Sequence, residues 1–156
     1  MVVVDRDVNA ARLMLSETDM TKPIPTLQKY MTTSPHAIGD EQTLVTAHQM
    51  MREHQIRHLP VLRGGKLVGL ITERDLALIE ALKDVDPKTV TVDDAMSSAV
   101  FSADPSAPLD EIVGTMAERK YGCCVAMQNS KVVGIFTTVD ACRALAEMLH
   151  GRLAKG

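Results

Sequence analysis

The strongest constraint on this chain is an internal repeat of 65 residues, the distance from Met31 to Met96. At that offset Thr26 falls on Thr91, Leu44 on Leu109, Met51 on Met116 and Glu53 on Glu118 without a gap. The register continues downstream, with Lys66 on Lys131, Val68 on Val133, Gly69 on Gly134, Thr72 on Thr137 and Asp75 on Asp140. These ten identities over positions 26–75 compare with roughly three expected from ordinary residue usage. Conservative pairs extend the match: Ile56 with Tyr121, Leu67 with Val132, Leu70 with Ile135, Ile71 with Phe136. A unit of about 60 residues buries too little surface to be comfortably stable alone. Two copies are therefore expected to pack on each other with pseudo-twofold symmetry, leaving two related clefts.

Each copy reads in the same order. Leu44, Ala47, His48 and Met51 recur at helical spacing, as do Leu109, Ile112, Val113 and Met116, so each copy opens with an amphipathic helix. Thr43 suits the N-cap of the first, and Pro108 suits the first turn of the second, where its missing N–H has no helical partner to lose. Strands are expected over 58–62 and 67–71. The Gly64-Gly65 pair between them supplies the positive φ of a tight hairpin, and Asn129-Ser130 takes that place in the second copy. Further helices are expected over 73–82 and 138–149, and short extended pieces at Ala37-Ile38 and Val100-Phe101 precede each unit. The reading is an α/β (α+β) chain of two β-α-β-β-α units: an N-terminal helical extension over 1–23, with a helix near 5–18, units over 24–83 and 90–149, and a tail over 150–156. Asp86-Pro87 breaks the linker between the units.

Composition removes several functions. Two Phe, two Tyr and no Trp leave Met, Leu, Val, Ile and Ala to fill the interior. With a net charge of -3, the chain has neither the basic footprint nor the stacking rings of a nucleic-acid binder. The start Met1–Asp5 lacks a basic segment followed by a long apolar run, and no apolar stretch reaches the ~18 residues of a membrane span. A cytoplasmic protein with no signal peptide and no membrane contact is expected. Three cysteines, two of them adjacent, fit reduced thiols better than a disulfide framework.

The segment Gly69-Leu70-Ile71-Thr72-Glu73-Arg74-Asp75, repeated as Gly134-Ile135-Phe136-Thr137-Thr138-Val139-Asp140, marks a strand giving way to a helix. Thr-x-x-Asp at a helix start is a capping box, which is a sufficient structural reason for both residues. The same pair has a chemical use: an Asp carboxylate offers two acceptor oxygens to a ribose diol, and the helix N–H groups favour an anion nearby. Gly69 and Gly134 permit a backbone or a ligand to approach closely just upstream. Arg74, a cation in the first turn, opposes the helix dipole and would be relieved by a phosphate.

With these segments, with His58-Leu59-Pro60-Val61 before the glycine turn and with the whole unit recurring, residues 24–149 resemble a tandem pair of the CBS domain family. That resemblance implies paired units, modules that dimerise through their helices, and clefts that bind adenine nucleotides. By the resemblance, Thr72 and Asp75 hold one ribose and Thr137 and Asp140 a second. Arg57, His58, Leu59 and Pro60, with the segment containing Thr33, Ser34 and Ile38, are implied for the first site. Gly122, Cys123 and Cys124, with Ser98 and Val100, are implied for the second. The implied ligand is AMP, ADP or ATP, with NAD or S-adenosylmethionine as further candidates. A homodimer and a protein target of unknown identity complete the expected partners, and no cofactor is required.

The copies differ where charge matters: Arg74 becomes Val139, Arg57 becomes Gly122, His58 becomes Cys123 and Pro60 becomes Val125. The Thr72/Asp75 site is therefore expected to bind a phosphorylated adenosine more tightly. The Arg119-Lys120 pair reads as a solvated helix end. Cys123 and Cys124 read as packing residues, since neighbours on a strand face opposite ways. No histidine pair has metal-ligand spacing with a Cys or carboxylate partner, and no nucleophile stands with a base. Enzymatic activity and a metal site are not expected. Two readings remain open: a regulatory module that binds adenine nucleotide, and a structural dimerisation module whose Thr-x-x-Asp segments are only caps.

Overall fold

The computed structural model describes residues 22–153; the helix expected near 5–18 lies outside them. The first copy runs α1 (Leu27–Tyr30), β1 (Thr32–Thr33), β2 (Ile38–Gly39), α2 (Leu44–His54), β3 (His58–Arg63), β4 (Lys66–Thr72) and α3 (Glu73–Glu80). The second runs α4 (Val92–Ala95), β5 (Ser102–Ala103), α5 (Leu109–Arg119), β6 (Cys123–Gln128), β7 (Lys131–Thr137) and α6 (Thr138–Leu153). Each copy thus contains the expected β-α-β-β-α unit. Thr43 caps α2 by accepting from the Thr46 N–H at 3.4 Å, whereas Pro108 stands one position earlier than expected, at the N-cap of α5. The hairpin turns have positive φ at both central residues, 57° and 79° at Gly64 and Gly65, and 51° and 62° at Asn129 and Ser130. That is the backbone a two-residue hairpin demands. The second short strand lies at Ser102–Ala103, not at Val100-Phe101; the 65-residue offset applied to Ala37-Ile38 lands on 102–103.

Sequence reading missed how each copy begins. Strand β1 of the first copy pairs antiparallel with β7 of the second, Thr32 opposite Ile135 and Thr33 opposite Gly134. Reciprocally, Ser97 bridges Leu70 of β4, with Leu70 N–H donating to Ser97 O and Ser97 N–H to Leu70 O, each at 2.9 Å. The short helices cross in the same way. Leu27 N–H donates to Ala107 O at 2.9 Å, and its repeat partner Val92 donates to Gln42 O at 2.8 Å. The sheets are accordingly β1-β7-β6-β5 and β2-β3-β4.

The cores follow the crossing. One comprises Ile38, Leu44, Ala47, Met51, Leu59, Val61, Ile71 and Leu76 of the first copy, and includes Val92 of the second. The other comprises Leu109, Ile112, Met116, Cys124, Ala126, Phe136 and Ala144, and includes Leu27 of the first. Leu27 and Val92 are fully buried, and each such burial stabilises by at most about 1.5–3 kcal/mol. Crossing also explains two of the repeat identities, Met31 with Met96 and Gly69 with Gly134. A Cβ built on Gly134 would overlap Sδ of Met31, and one built on Gly69 would overlap Sδ of Met96. These glycines admit a methionine from the other copy; the close approach they permit is not a ligand's. Arg63 adds a polar tie, pairing with Asp40 in its own copy and with Asp93 of α4 at 2.8 Å.

Candidate functional site

A cleft of about 360 Å³ opens where the copies meet. Thr33, Ser34 and His36 follow β1 on one side, with Arg57 and His58 at the start of β3; Thr137, Asp140 and Arg143 of the second copy face them. Because β1 is hydrogen-bonded to β7, the first copy's leading loop is fixed beside the second copy's strand-to-helix junction. Ser34 turns the chain out of β1 with φ of 47°. His36 then stacks on His54 at the end of α2, ring centroids 3.6 Å apart and planes 12° apart.

Both Thr-x-x-Asp segments are complete capping boxes. Thr72 donates from N–H and Oγ1 to Asp75 Oδ2 at 2.8 and 2.7 Å, and Asp75 N–H donates back at 3.2 Å. In the second copy Asp140 Oδ2 accepts from Thr137 N–H and Oγ1 at 2.9 and 3.1 Å. Asp140 differs in its other oxygen: Oδ1 pairs with Nη1 of Arg143 at 3.0 Å. Asp140 is buried, while the Arg143 side chain is 68% exposed. The cleft thus has an anchored carboxylate and an exposed guanidinium one helical turn apart.

Charge in the cleft is positive. Arg57 and Arg143 outnumber Asp140, and His58 adds a neutral imidazole at neutral pH. Burial holds its pKa below 6.5, and Arg57 lowers it further, against the opposing pull of Asp75 and Glu73. His58 also faces Gly122, where an added Cβ would stand 3.0 Å from Nε2. A Cβ at 122 would require the imidazole to give by a few tenths of an ångström.

The structure regroups the residues expected from sequence. Thr33, Ser34, Arg57 and His58 line the cleft with Thr137 and Asp140, while His58 also stands opposite Thr72 across the β3–β4 pair and within reach of the Asp75 charge. The physical reason is the crossing: β1 runs beside β7, so the first copy's cations meet the second copy's carboxylate. By the same symmetry Ser97 lies against β4, which puts Ser98 and Val100 on the side of Thr72 and Asp75. Arg74 is exposed, and its repeat partner Val139 lines the cleft. Ile38 and Leu59 belong to the first core and Cys124 to the second, and Pro60 is fully buried; these four side chains are committed to packing. Cys123 is buried as well, and burial pushes its thiol up to about 12 and that of Cys124 to about 11, so neither supplies a thiolate. Arg143 was not singled out from sequence. Its only signal was its place one turn beyond Asp140, the position occupied by Leu78 in the first copy.

Among the described residues, no group of three His, Cys, Asp or Glu side chains is disposed to hold a metal ion. No helix among them is long and apolar enough to cross a membrane.

Comparison with known proteins bears on the family and the fold. Hypoxic response protein 1 of Mycobacterium tuberculosis is 29% identical over 123 residues, spanning 78% of this chain and 86% of that protein. A crystal structure of Hypoxic Response Protein I with two coordinated zinc ions superposes with a TM-score of 0.67 and 28% identity, covering 76% of this chain and 98% of that one. The CBS domain pair of protein MJ0100, solved with 5′-methylthioadenosine and S-adenosyl-L-methionine, superposes with a TM-score of 0.74 and 26% identity, over 81% of this chain and 99% of that one. The CBS domain family model matches twice, at residues 15–81 and 92–147. With two matched repeats and paired units crossed at their leading segments, the chain belongs to the CBS domain family.

Proposed function

We propose that this CBS pair is a regulatory module that binds an adenine nucleotide in the cleft between its copies and catalyses no reaction. The observation that carries the reading is the composite cleft itself, where the Thr137/Asp140 junction of one copy faces Arg57, His58 and the Thr33–His36 loop of the other. Asp140 Oδ1, the oxygen that Thr137 does not use, would take a ribose hydroxyl. The arginines favour phosphate. That the CBS pair of MJ0100 was solved with two adenosine compounds supports an adenosine ligand here. Occupancy would act on a target protein by the difference in nucleotide affinity between two states of the module.

Thermal melting with AMP, ADP, ATP, NAD, S-adenosylmethionine and GTP tests this. A ligand at ~100 times its Kd adds about 2.7 kcal/mol, which raises the melting temperature of a domain this size by several degrees. A flat response across the panel would sink the reading in favour of a structural module. One observation favours that second reading: both Thr-x-x-Asp pairs form capping boxes, a sufficient structural role for those residues. We infer in either case that the chain forms a homodimer through its helices, because Leu78 of α3 and Leu145, Met148 and Leu149 of α6 are 43–60% exposed. Light scattering at high micromolar concentration should give twice the 17.0 kDa chain mass; a monomer there refutes it.

A further inference from the structure

We propose that Arg143 makes the cleft discriminate by ligand charge, favouring nucleoside phosphates over neutral and sulfonium nucleosides. This rests on the nucleotide reading above. Asp140 Oδ2 already accepts two hydrogen bonds from Thr137, which uses its lone pairs. Oδ1 is the oxygen left for a ribose hydroxyl, and Arg143 Nη1 lies 3.0 Å from it. The guanidinium therefore sits beside any ribose held by Asp140.

Only one of its five N–H donors is committed to that carboxylate, and the side chain is largely exposed, so it can turn toward a ligand without breaking a packed contact. Arg57 lines the same cleft. Among the lining side chains two guanidinium groups then meet one carboxylate, with Asp75 and Glu73 acting from beyond His58, and a phosphate offsets the excess of positive charge at the lining. A sulfonium nucleoside adds a positive charge instead, and a neutral nucleoside leaves the second guanidinium uncompensated. The first copy lacks the device. Leu78 stands at the equivalent position, and Asp75 Oδ1 has no partner among the described residues.

Calorimetry on the full chain with AMP, adenosine, 5′-methylthioadenosine and S-adenosylmethionine tests the assignment in wild type, Arg143→Leu and Arg143→Lys. In wild type, AMP should bind about tenfold or more tighter than adenosine. Arg143→Leu should weaken AMP about three- to tenfold and leave adenosine and 5′-methylthioadenosine unchanged, and Arg143→Lys should fall between. The affinity of AMP should also decline more steeply with salt in wild type than in Arg143→Leu. Equal weakening of AMP and adenosine by Arg143→Leu would mean that Arg143 merely holds Asp140, and overturns the proposal, as does an unchanged AMP affinity. Should Arg143→Leu not fold, the lysine variant and the salt dependence decide. Failure of all four compounds to bind wild type would instead remove the nucleotide reading itself.

Discussion

Gly134→Ala probes the crossing of the copies most directly. A Cβ there would overlap Sδ of Met31 and stand 2.9 Å from its Cγ and 3.0 Å from its Cε. All three atoms belong to one flexible, half-buried side chain, so the added methyl displaces Met31 and leaves the β7 backbone in place. Overpacking of that kind costs about 1–3 kcal/mol, and at about 2–4 °C per kcal/mol the melting temperature should fall by roughly 2–12 °C. Met31→Ala alone should cost about 1–2 kcal/mol, below the range for a fully buried methionine. Combined, the new methyl occupies space the thioether has vacated, and the double variant should be at least about 1 kcal/mol more stable than the sum of the single losses predicts. Gly69→Ala is the sterner case, because Ser97 O stands 3.0 Å from its Cβ as well as the Met96 side chain. Met96→Ala should rescue it only in part. Urea denaturation of the four Gly134/Met31 species measures the coupling. Additive losses, within about 0.3–0.5 kcal/mol, would refute the contact and with it the crossed arrangement.

Gly114 lies inside α5 with nothing within 4 Å of its Cβ position, so Gly114→Ala should stabilise the fold by about 0.5–1 kcal/mol in the same denaturation assay. In thiol titration with a disulfide reagent, exposed Cys142 should react at once, while buried Cys123 and Cys124 should react only on unfolding; three fast thiols would contradict their packing. His58 has a depressed pKa, so the unfolded chain takes up its proton first. Its contribution is neutral above pH 6.5 and becomes destabilising as pH falls through that value, levelling off below the folded pKa. Subtracting the pH-stability curve of His58→Gln from that of wild type should isolate this slope, and a flat difference would rule it out. Asp140→Asn should cost more AMP affinity than Asp75→Asn by calorimetry, because Arg57 and Arg143 stand with Asp140; equal losses would remove the ranking.

Local structure was legible because local chemistry encodes it. Thr43, the Gly64-Gly65 and Asn129-Ser130 turns and the period of Leu44, Ala47 and Met51 each act within a few residues, and their elements lie where those signals place them. The fold class followed from the repeat, since two half-sized units must share a surface. What could not be read was which copy each leading segment packs against. Leu27 and Val92 look the same to a pattern reader whether they enter their own core or the other. The identities Met31/Met96 and Gly69/Gly134 held the information, but as a contact between copies, which single-chain periodicity does not resolve. This is why Arg57 was grouped with Asp75 and not with Asp140, whose cleft it lines. It is also why Gly69 and Gly134 suggested room for a ligand when they make room for methionine.

Crossing changes what divergence between the copies means. In a duplication whose units kept to themselves, loss of Arg57 and His58 to Gly122 and Cys123 would weaken the second copy's own Thr137/Asp140 junction. Here that junction draws its cations from the first copy, and the substitutions fall at the positions that the symmetry assigns beside Asp75. On that side the repeat places Leu78 for Arg143, Phe101 for His36 and Tyr121 for Ile56, and the two rings stack with centroids 5.3 Å apart. One side of the module has therefore gathered guanidinium and imidazole groups around its carboxylate, and the other two of the chain's four aromatic rings. The hydrophobic cores tolerate this divergence, because Arg57, Leu78 and Arg143 are exposed or line the cleft and Ile56 and Phe101 pack only at the margins of the cores. A composite cleft can specialise for an anion in this way while its symmetry mate takes a different character, with the shared backbone, the capping boxes and the glycine-methionine contacts the same in both.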